Sequence, residues 1–515
     1  MVVWKYIEIL KKPDKTLFLS KDTTREKLAA LDKVAKYGSP NDISSIIFVL
    51  KSKNKLVREE ACSTIIHLFG KIKNKKEYYN ILKYCEISTK DTDYYADKFI
   101  SEQLAYLLAV SSLNHNGYVR EKAILSLSKI SNSKAIRFLI YRLADWVLPV
   151  RESAKKALSN YITKEYIDDL IENLPVIEWL QKVERINLDD IYNSLIEFII
   201  LTNRDYTIAN YRKYPDKLRF LIAKHISSSL RDTSELSLLL KDKHFTIRNL
   251  ALNHFGKLKE EDISLLLRDK SSKIRLNTLY ALKEREDFST VIIDFLADES
   301  SSIRHLARFT LKDSAFDFAE FYNLQLQNDN QIVGSLLGLA EVDACQYSKT
   351  VEAYLYSKKV KIKKAALLAL IKLDKESAYN YAIANIGTTI VGLRRIIIDF
   401  LSTNYSREVL GIAQKCYEKG NEELKISMLN LFNKIGGWEA LSDLMIATID
   451  NNENIRNIGK QHVETWRVRA TSLYATPSKN DLDRIKNIFE FANKTHKNKR
   501  YFEQNPLEGL DFYFR

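Results

Sequence analysis

Apolar residues recur along this chain in a fixed relation to a single basic residue, at the position before it and at the seventh position after it. The clearest copies surround Lys363, Arg394, Lys425 and Arg456, which follow one another at intervals of 31 residues. Positions −1, +3 and +7 form one stripe along a helix, because they are spaced i, i+4, i+8. A fixed period of this length is typical of a solenoid, in which one short unit stacks on the next.

Ten copies of the pattern share an aliphatic residue before the basic anchor and an apolar residue at +7, and most have a small residue at +3. The small side chain allows a neighbouring helix to approach closely. The ten anchors are Arg58, Arg120, Arg151, Arg248, Arg275, Arg304, Lys363, Arg394, Lys425 and Arg456. Weaker copies fill the gaps, with degenerate anchors predicted at Arg185, Arg219 and Val333.

A second, shorter apolar helix is predicted upstream of each anchored helix, for example at 135–143, 263–267 and 290–296. Neither helix of such a pair buries its apolar face alone, so the stacking of neighbouring pairs supplies the core. The sequence therefore predicts an all-α fold, a right-handed α-solenoid of about fourteen helix pairs. We expect the anchored second helices to line its concave side.

An aspartate or asparagine lies six residues before many of the anchors, as in Asn114, Asp145, Asp242, Asp269, Asp298 and Asp450. Such a residue can cap the following helix by accepting a hydrogen bond from one of its free N–H groups. It also offers a partner to a basic anchor of a neighbouring repeat. We therefore interpret the anchors as ladder residues that pair with aspartates or backbone carbonyls between repeats.

The segment Asp145-Trp-Val-Leu-Pro-Val-Arg-Glu-Ser-Ala154 resembles the second-helix signature of HEAT repeats, of the short bacterial kind also seen in phycobilisome-lyase-like proteins. The resemblance extends over most of the chain and implies an α-solenoid. HEAT-type solenoids serve as adaptors, inhibitors, transport receptors and, more rarely, enzymes. The resemblance thus implies an architecture and leaves the function open.

The regularity of the pattern divides the chain into four ranges. We expect an N-terminal cap with HEAT-like repeats at 1–160, irregular repeats or a bend at 161–215, a regular array at 216–466, and a capping helix with an aromatic tail at 467–515. The tail either closes the last repeat or docks into a partner as a peptide. Its aromatic residues are Tyr501, Phe502, Phe512, Tyr513 and Phe514.

The composition indicates a folded protein of the cytoplasm. Four cysteines are scattered without a C-x-x-C pair, which argues against a disulfide framework or a zinc knuckle. Lys5 and Glu8 interrupt the apolar amino terminus, which argues against a signal peptide. The apolar run 191–201 is too short to span a membrane. We therefore predict a cytoplasmic protein without a membrane span.

Eighty basic residues against 66 acidic residues give a net charge of +14, an excess that attracts polyanions. A/T-rich coding would produce the same enrichment in lysine without selection for a ligand, so both explanations stay open. Cations at equivalent places in neighbouring repeats would lie roughly 10 Å apart and form a strip. The candidate polyanion-binding residues are Lys358, Lys359, Lys361, Lys364, Arg394 and Arg395.

Motifs for catalysis are missing from the sequence. It contains neither G-x-x-x-x-G-K-S/T nor G-x-G-x-x-G, and its eight histidines include neither H-E-x-x-H nor the His-Glu pairs that hold iron in HEAT-like deoxyhypusine hydroxylases. HEAT-like alkylpurine DNA glycosylases are the closest enzyme alternative, since Trp146, Trp179, Asp145 and Arg185 lie near one another in sequence. No motif aligns with that family, so we predict no catalytic, cofactor-binding or metal-binding residue and no cofactor.

The sequence favours a non-catalytic scaffold that binds a protein partner along the concave face of the solenoid. The alternative is a solenoid that binds nucleic acid through the basic strip, and less probable still is a DNA glycosylase of the HEAT-like kind. The two binding modes differ in their response to salt, because phosphate contacts weaken steeply as salt rises.

Overall fold

The computed structural model describes residues 2–13, 23–73, 75–497 and 505–514. Helices and turns make up the described part of the chain, which contains no strand, and the predicted all-α class is confirmed. Contacts divide the chain into a first unit, Met1–Asp262, and a second unit, Ile263–Arg515. The four ranges predicted from the repeat pattern stay a prediction.

The first unit holds seventeen described α-helices and the start of an eighteenth. Their bounds are α1 Val2–Leu10, α2 Thr24–Tyr37, α3 Ile43–Ile46, α4 Lys55–Gly70, α5 Lys75–Leu82, α6 Thr89–Lys98, α7 Ser101–Ser111, α8 Gly117–Leu127, α9 Lys134–Arg142, α10 Leu148–Ser159, α11 Ile167–Glu172, α12 Leu174–Leu180, α13 Asp189–Ile196, α14 Arg204–Asn210, α15 Asp216–Ser228, α16 Ser234–Leu240, α17 Phe245–Leu250 and α18 Glu260–Leu267.

The second unit continues from α18 with fourteen more described helices. Their bounds are α19 Ser272–Leu282, α20 Phe288–Val291, α21 Ser301–Thr310, α22 Phe318–Gln325, α23 Ile332–Glu341, α24 Ser348–Ala353, α25 Val360–Leu373, α26 Lys375–Ala384, α27 Val391–Thr403, α28 Arg407–Lys419, α29 Glu422–Ile435, α30 Leu441–Ala447, α31 Glu453–Ala470 and α32 Lys479–Lys497.

Helix α29 illustrates how the sequence builds an anchored helix. Asn421 precedes it, and its side-chain oxygen accepts a hydrogen bond from the Leu424 N–H at 3.0 Å, a cap that contributes about 1 kcal/mol. Met428 and Phe432, at positions +3 and +7 from the anchor, are buried. The helix ends at Gly436, whose φ of 61° lies in the left-handed region that glycine adopts without strain. The N-terminal cap, the buried stripe and the terminating glycine therefore all specify the same helix.

Helix pairs stack in sequence within each unit. In the first unit α9 packs on α10 and α8 packs on α10; in the second, α28 packs on α29, while α25, α27, α29 and α31 pack on one another in order. Helices α25, α27 and α29 thus each contact the preceding partner helix and the next anchored helix. This order confirms the predicted α-solenoid and is that of HEAT-type repeats.

The aromatic tail folds back on the last helices of the second unit. Leu507, Leu510 and Phe514 are buried, and the Tyr513 ring packs edge-on against Trp466 at 5.8 Å. The Arg467 guanidinium donates hydrogen bonds to backbone oxygens of the tail at 3.0 and 2.9 Å. Residues 505–514 therefore pack on the last helices, as expected of a cap, while the capping role of the range 467–515 stays a prediction. Tyr501 and Phe502 lie outside the described residues.

Candidate functional site

The basic anchors bind the turn that precedes their own helix. In eight copies the anchor's guanidinium donates a hydrogen bond of 2.7–3.0 Å to the backbone oxygen of the residue at −6. These anchors are Arg58, Arg120, Arg151, Arg248, Arg275, Arg304, Arg394 and Arg456. The guanidinium therefore satisfies a carbonyl in a tight turn.

The residue at −6 stabilises this turn and does not cap the helix, so that detail of the prediction is wrong. Its side-chain oxygen accepts the N–H of residue −4, as Asp145 does from Val147 at 3.0 Å and Asp298 from Ser300 at 2.7 Å. The helix cap is instead residue −4 itself in several copies, for example Asn452. The sequence offered this signal, because asparagine also recurs at −4.

Ion pairs join neighbouring turns through the same aspartates. Arg120 donates two hydrogen bonds to Asp145 at 2.9 and 2.8 Å, and Arg275 donates two to Asp298 at 2.8 and 2.7 Å. Lys425 reaches Asp450 at 2.8 Å. Burial by itself raises the pKa of Asp145, but the hydrogen bonds from Arg120 and the charge of Arg142 outweigh it and hold the pKa below its ordinary value.

The degenerate anchors have mixed outcomes. Arg219 donates to Asp242 at 2.9 and 3.2 Å, in the manner of a regular anchor. Arg185 lies in a turn, with its guanidinium 4.0 Å from the ring centre of Trp146, and that prediction is wrong. Arg204 is the buried guanidinium of this region, and it pairs with Glu235.

The predicted basic strip is only partly open to a ligand. Lys358, Lys359 and Lys361 are exposed around the start of α25, but Lys359 lies 3.5 Å from an Asp329 oxygen and Lys361 pairs with Glu299. The side chain of Lys364 is half-buried against Gly392. Acidic neighbours therefore neutralise part of this charge.

Arg394 must be removed from the candidate polyanion-binding residues. It is only 4% exposed, and its guanidinium donates to Glu423 at 2.6 Å, to Ser427 at 3.0 Å and to Thr388 at 2.7 Å. Its neighbour Arg395 is exposed. A buried guanidinium with these partners does not reach a phosphate, so the strip is interrupted at α27.

The residues that suggested a DNA glycosylase do not offer an available carboxylate, although the Arg185 guanidinium lies over the Trp146 ring. Asp145 is 2% exposed and held by Arg120 and Arg142, so it has no free oxygen for an incoming base. Trp146 is 80% exposed. The Trp179 ring packs edge-on against Tyr141 at 5.9 Å. The geometry around Asp145 is that of a ladder position.

An apolar cavity of about 520 Å³ opens in the first unit between α12, α15 and the start of α17. Pro175, Phe220 and Leu221 supply its apolar walls, and Phe220 remains 36% exposed. Asp216 and Lys217 lie at its rim on the first turn of α15. A cavity of this volume and lining accepts an apolar side chain or a small apolar ligand.

A hydrogen-bonded cluster fixes one wall of this cavity. Glu178 on α12 accepts from Tyr192 at 2.9 Å and from Lys224 at 3.1 Å, and one of its oxygens lies 2.5 Å from His225 Nε2. The hydrogen bond with His225, joined by those from Lys224 and Tyr192, outweighs burial and lowers the pKa of Glu178 to about 2. The ionised carboxylate therefore ties α12 to α15.

Sequence reasoning missed this cavity, although it flagged the irregular range 161–215 beside it. One signal was present: the residue after the anchor is polar or charged in most copies, yet Phe220 follows Arg219. Pro175 and Glu178 come from a helix some 40 residues earlier, and only the fold shows that they meet α15.

Metal ligation and membrane insertion are not indicated by the described residues. Among these residues, no three His, Cys, Asp or Glu side chains are grouped so that they could bind a metal ion. The structure likewise describes no helix that is both long enough and apolar enough to cross a membrane.

Two buried cysteines are unreactive. Burial raises the pKa of Cys62 and Cys85 to about 12, so neither thiol is a ready nucleophile.

The sequence matches no protein-family model and is not detectably similar to any curated protein. Solved helical structures are similar in part. Kap121p is 11% identical with a TM-score of 0.37, and the match covers 95% of this chain and 66% of Kap121p. The C-terminal fragment of the cohesin loader SCC2 from Chaetomium thermophilum is 11% identical with a TM-score of 0.30, over 91% of this chain and 43% of that fragment.

A chain from the structure of Kap95p bound to RanGDP is 10% identical with a TM-score of 0.28, and the match covers all of this chain and 66% of that one. The protein thus spans two thirds or less of the length of these solved chains. At such identities and TM-scores the likeness carries no argument about function.

Proposed function

We propose that the protein is a non-catalytic HEAT-type scaffold that binds a protein partner along the face of its anchored helices. The observation that carries this proposal is the apolar cavity between α12, α15 and α17, where Phe220 stays partly exposed on a helix whose other apolar residues are buried or half-buried. An apolar side chain of a partner would fill this cavity. Exposed apolar surface rimmed by charge is typical of protein-binding sites.

The walls of the cavity favour an extended peptide as the bound segment. The Glu178 cluster holds α12 against α15 before any ligand arrives, so little ordering free energy is spent on binding. Asp216 and Lys217 at the rim can orient polar groups that flank the anchor side chain. Further shallow contacts along neighbouring repeats would add affinity.

We also propose where this interaction takes place: the binding face is the concave side of the solenoid, and the protein works in the cytoplasm. The short bacterial kind of HEAT repeat, with its phycobilisome-lyase-like relatives, remains a proposal based on the segment 145–154 alone.

The test is selection of peptides from a phage-displayed random library on the immobilised full-length protein. We expect the enriched peptides to share a large apolar residue and to bind the Phe220→Asp variant at least about tenfold more weakly, the loss typical of a buried anchor residue. Phe309→Asp is the matched control, because Phe309 is also an exposed phenylalanine on an anchored helix.

Thermal unfolding of the two variants shows that each is folded before binding is compared. Peptides that bind wild type and Phe220→Asp equally, or a selection that enriches no peptide at all, would contradict the assignment of this cavity to a protein partner.

A second candidate function is binding of nucleic acid through the basic strip. Lys358 and Arg395 favour it, since both are exposed and neither has an ion pair within the described ranges. Nucleic-acid binding is disfavoured by the burial of Arg394 and by the carboxylates beside Lys359 and Lys361. The salt dependence of binding separates the two candidates.

A further inference from the structure

A second cavity, of about 580 Å³, lies in the second unit between the exposed faces of α19 and α21. The loop from α19 to α20 closes one side, with Lys283 and Arg285 among its lining residues. This volume is in the range of sites for small organic ligands. The cavity is distinct from the apolar one, because all of its lining residues belong to 280–313.

Two aromatic rings contribute the apolar part of its wall. Tyr280 is 55% exposed and Phe309 is 56% exposed, and each follows the anchor of its own helix by five positions. Repetition of an aromatic residue at the same position of neighbouring anchored helices places both rings on the same face of the row. Exposed ring faces of this kind provide surfaces on which a planar ligand stacks.

Positively charged side chains come after the two aromatic residues in sequence. Lys283 and Lys312 each come eight positions after their anchors, and the Lys312 ammonium lies 4.7 Å from the ring centre of Phe309. Arg285 adds a third cation, which lies 3.2 Å from an Asp287 oxygen. Asp313 is the one carboxylate among the lining residues. Because Asp287 offsets the charge of Arg285, Lys283 and Lys312 against Asp313 leave the wall with a net positive charge. The cavity therefore attracts an anionic ligand.

Hydroxyl groups complete the wall. Ser289 and Ser302 line the cavity on the sides of α20 and α21. Serine hydroxyls both donate and accept hydrogen bonds, which suits phosphate oxygens and sugar hydroxyls alike. Rings, cations and hydroxyls at one cavity match a ligand that carries a planar ring and a phosphate on a polar linker.

We propose that this cavity binds a nucleotide, with its base against Tyr280 or Phe309 and its phosphate held by Lys283, Arg285 and Lys312. The nucleotide is either a free molecule or one residue of a single strand, since both present the same groups. The proposal goes beyond the scaffold function, because it concerns another site in the other unit and a ligand of another class.

Isothermal titration calorimetry of the full-length protein tests this assignment. The probes are each of the four ribonucleoside 5′-monophosphates, inorganic phosphate, phosphotyrosine, and single-stranded RNA about eight nucleotides long. We expect at least one nucleotide to bind, and Phe309→Ala and Lys283→Gln each to weaken it about tenfold, since stacking and charge both contribute. Tyr280→Leu is the second variant if Phe309→Ala does not fold.

Phe220→Ala is the matched control, and it should leave nucleotide binding unchanged while it weakens peptide binding at the apolar cavity. RNA that binds far more tightly than every mononucleotide, through the same residues, assigns the site to a strand; equal affinities assign it to free nucleotides. Absence of binding for all nucleotides and RNA at millimolar concentration overturns the proposal. Binding of phosphotyrosine or inorganic phosphate as tightly as any nucleotide also overturns it.

Discussion

The apolar cavity of the first unit and the cationic cavity of the second both involve anchored helices, yet one is lined by apolar residues and the other by aromatic and basic residues. Phe220 and Leu221 stand at +1 and +2 from Arg219, while Phe309 and Lys312 stand at +5 and +8 from Arg304. Position +1 lies two residues after −1, which is about 200° around the helix from the buried stripe. Residues on this side can vary without disturbing the core.

In this solenoid the framework and the proposed binding residues occupy different positions of the repeat. The stripe at −1, +3 and +7 and the anchor itself are constrained by stacking and by the turn. The residues proposed to bind ligands stand at +1 and +5 on the helix and at +8 just beyond its end. One array can therefore carry unrelated sites on different repeats.

The largest effect is expected where the framework is broken. In the Arg120→Ala variant, Asp145 loses two hydrogen bonds while it stays buried. Because Arg142 still pairs with Asp145, we expect the free energy of unfolding to fall by about 2–3 kcal/mol. Urea unfolding followed by circular dichroism measures this loss. Arg395→Ala, at an exposed arginine next to a ladder position, should change it by less than about 0.5 kcal/mol.

If Arg120→Ala lowers the free energy of unfolding no more than Arg395→Ala does, the packing of the apolar stripes alone stabilises the turns. The separation of framework from recognition would then rest on the helix core and not on the anchors.

A smaller effect is expected from acid at the Glu178 cluster. The pKa of Glu178 is lowered from 4.5 to about 2, so its ionised form stabilises the fold fully above about pH 4.5 and this stabilisation is lost as the pH falls toward 2. The free energy of unfolding, measured by urea titration from pH 6 to about pH 3, should therefore fall in wild type. Glu178→Gln should be less stable at neutral pH, and its free energy of unfolding should depend less on pH over the same range.

If the free energies of unfolding of wild type and Glu178→Gln fall in parallel with pH, other carboxylates control the loss of stability in acid. The wall of the apolar cavity would then not depend on the contacts of Glu178 with His225, Lys224 and Tyr192.

The smallest effect is expected at the basic strip. Because Lys359 and Lys361 already face carboxylates, the Lys358/Lys359/Lys361/Lys364→Glu variant should lower affinity for a DNA duplex only a few-fold. The slope of log affinity against log salt should stay near one or below, which corresponds to about one phosphate contact. Electrophoretic titration at about 50 and 200 mM salt measures both quantities.

Tight binding to duplex with a slope of several, abolished in the fourfold variant, would make nucleic acid the principal partner. Lys283→Gln/Lys312→Gln is the control that separates the strip from the cationic cavity.

The sequence predicts the framework well because the framework is periodic. Each anchored helix repeats its stripe and its turn, and Arg219 is found from spacing alone despite a weak repeat. The same logic fails at Arg185. A π-helical turn at Glu197–Thr202 and short helices around it change the spacing, so the buried guanidinium is Arg204 and no count of residues would locate it.

The binding surfaces are harder to predict because they combine residues from different repeats. Phe220 stands out from its sequence position, but the cavity also needs Pro175 from α12. Arg394 illustrates another error, because the sequence predicts it both as a ladder anchor and as a polyanion-binding residue. Only its burial distinguishes these two roles. The repeat period identifies which positions are equivalent, whereas the exposure and the neighbours of each side chain determine what it can bind.

The bond from eight of the anchors to the carbonyl at −6 has a consequence for how such an array changes length in evolution. A segment that begins at the −6 residue and ends after its anchored helix contains both halves of its own turn, as 298–310 and 450–470 do. Duplication or deletion of one such segment together with its partner helix leaves the other turns of this kind with their own arginines. Repeats can therefore be gained or lost one at a time, and a site on one exposed face can be copied or moved with them.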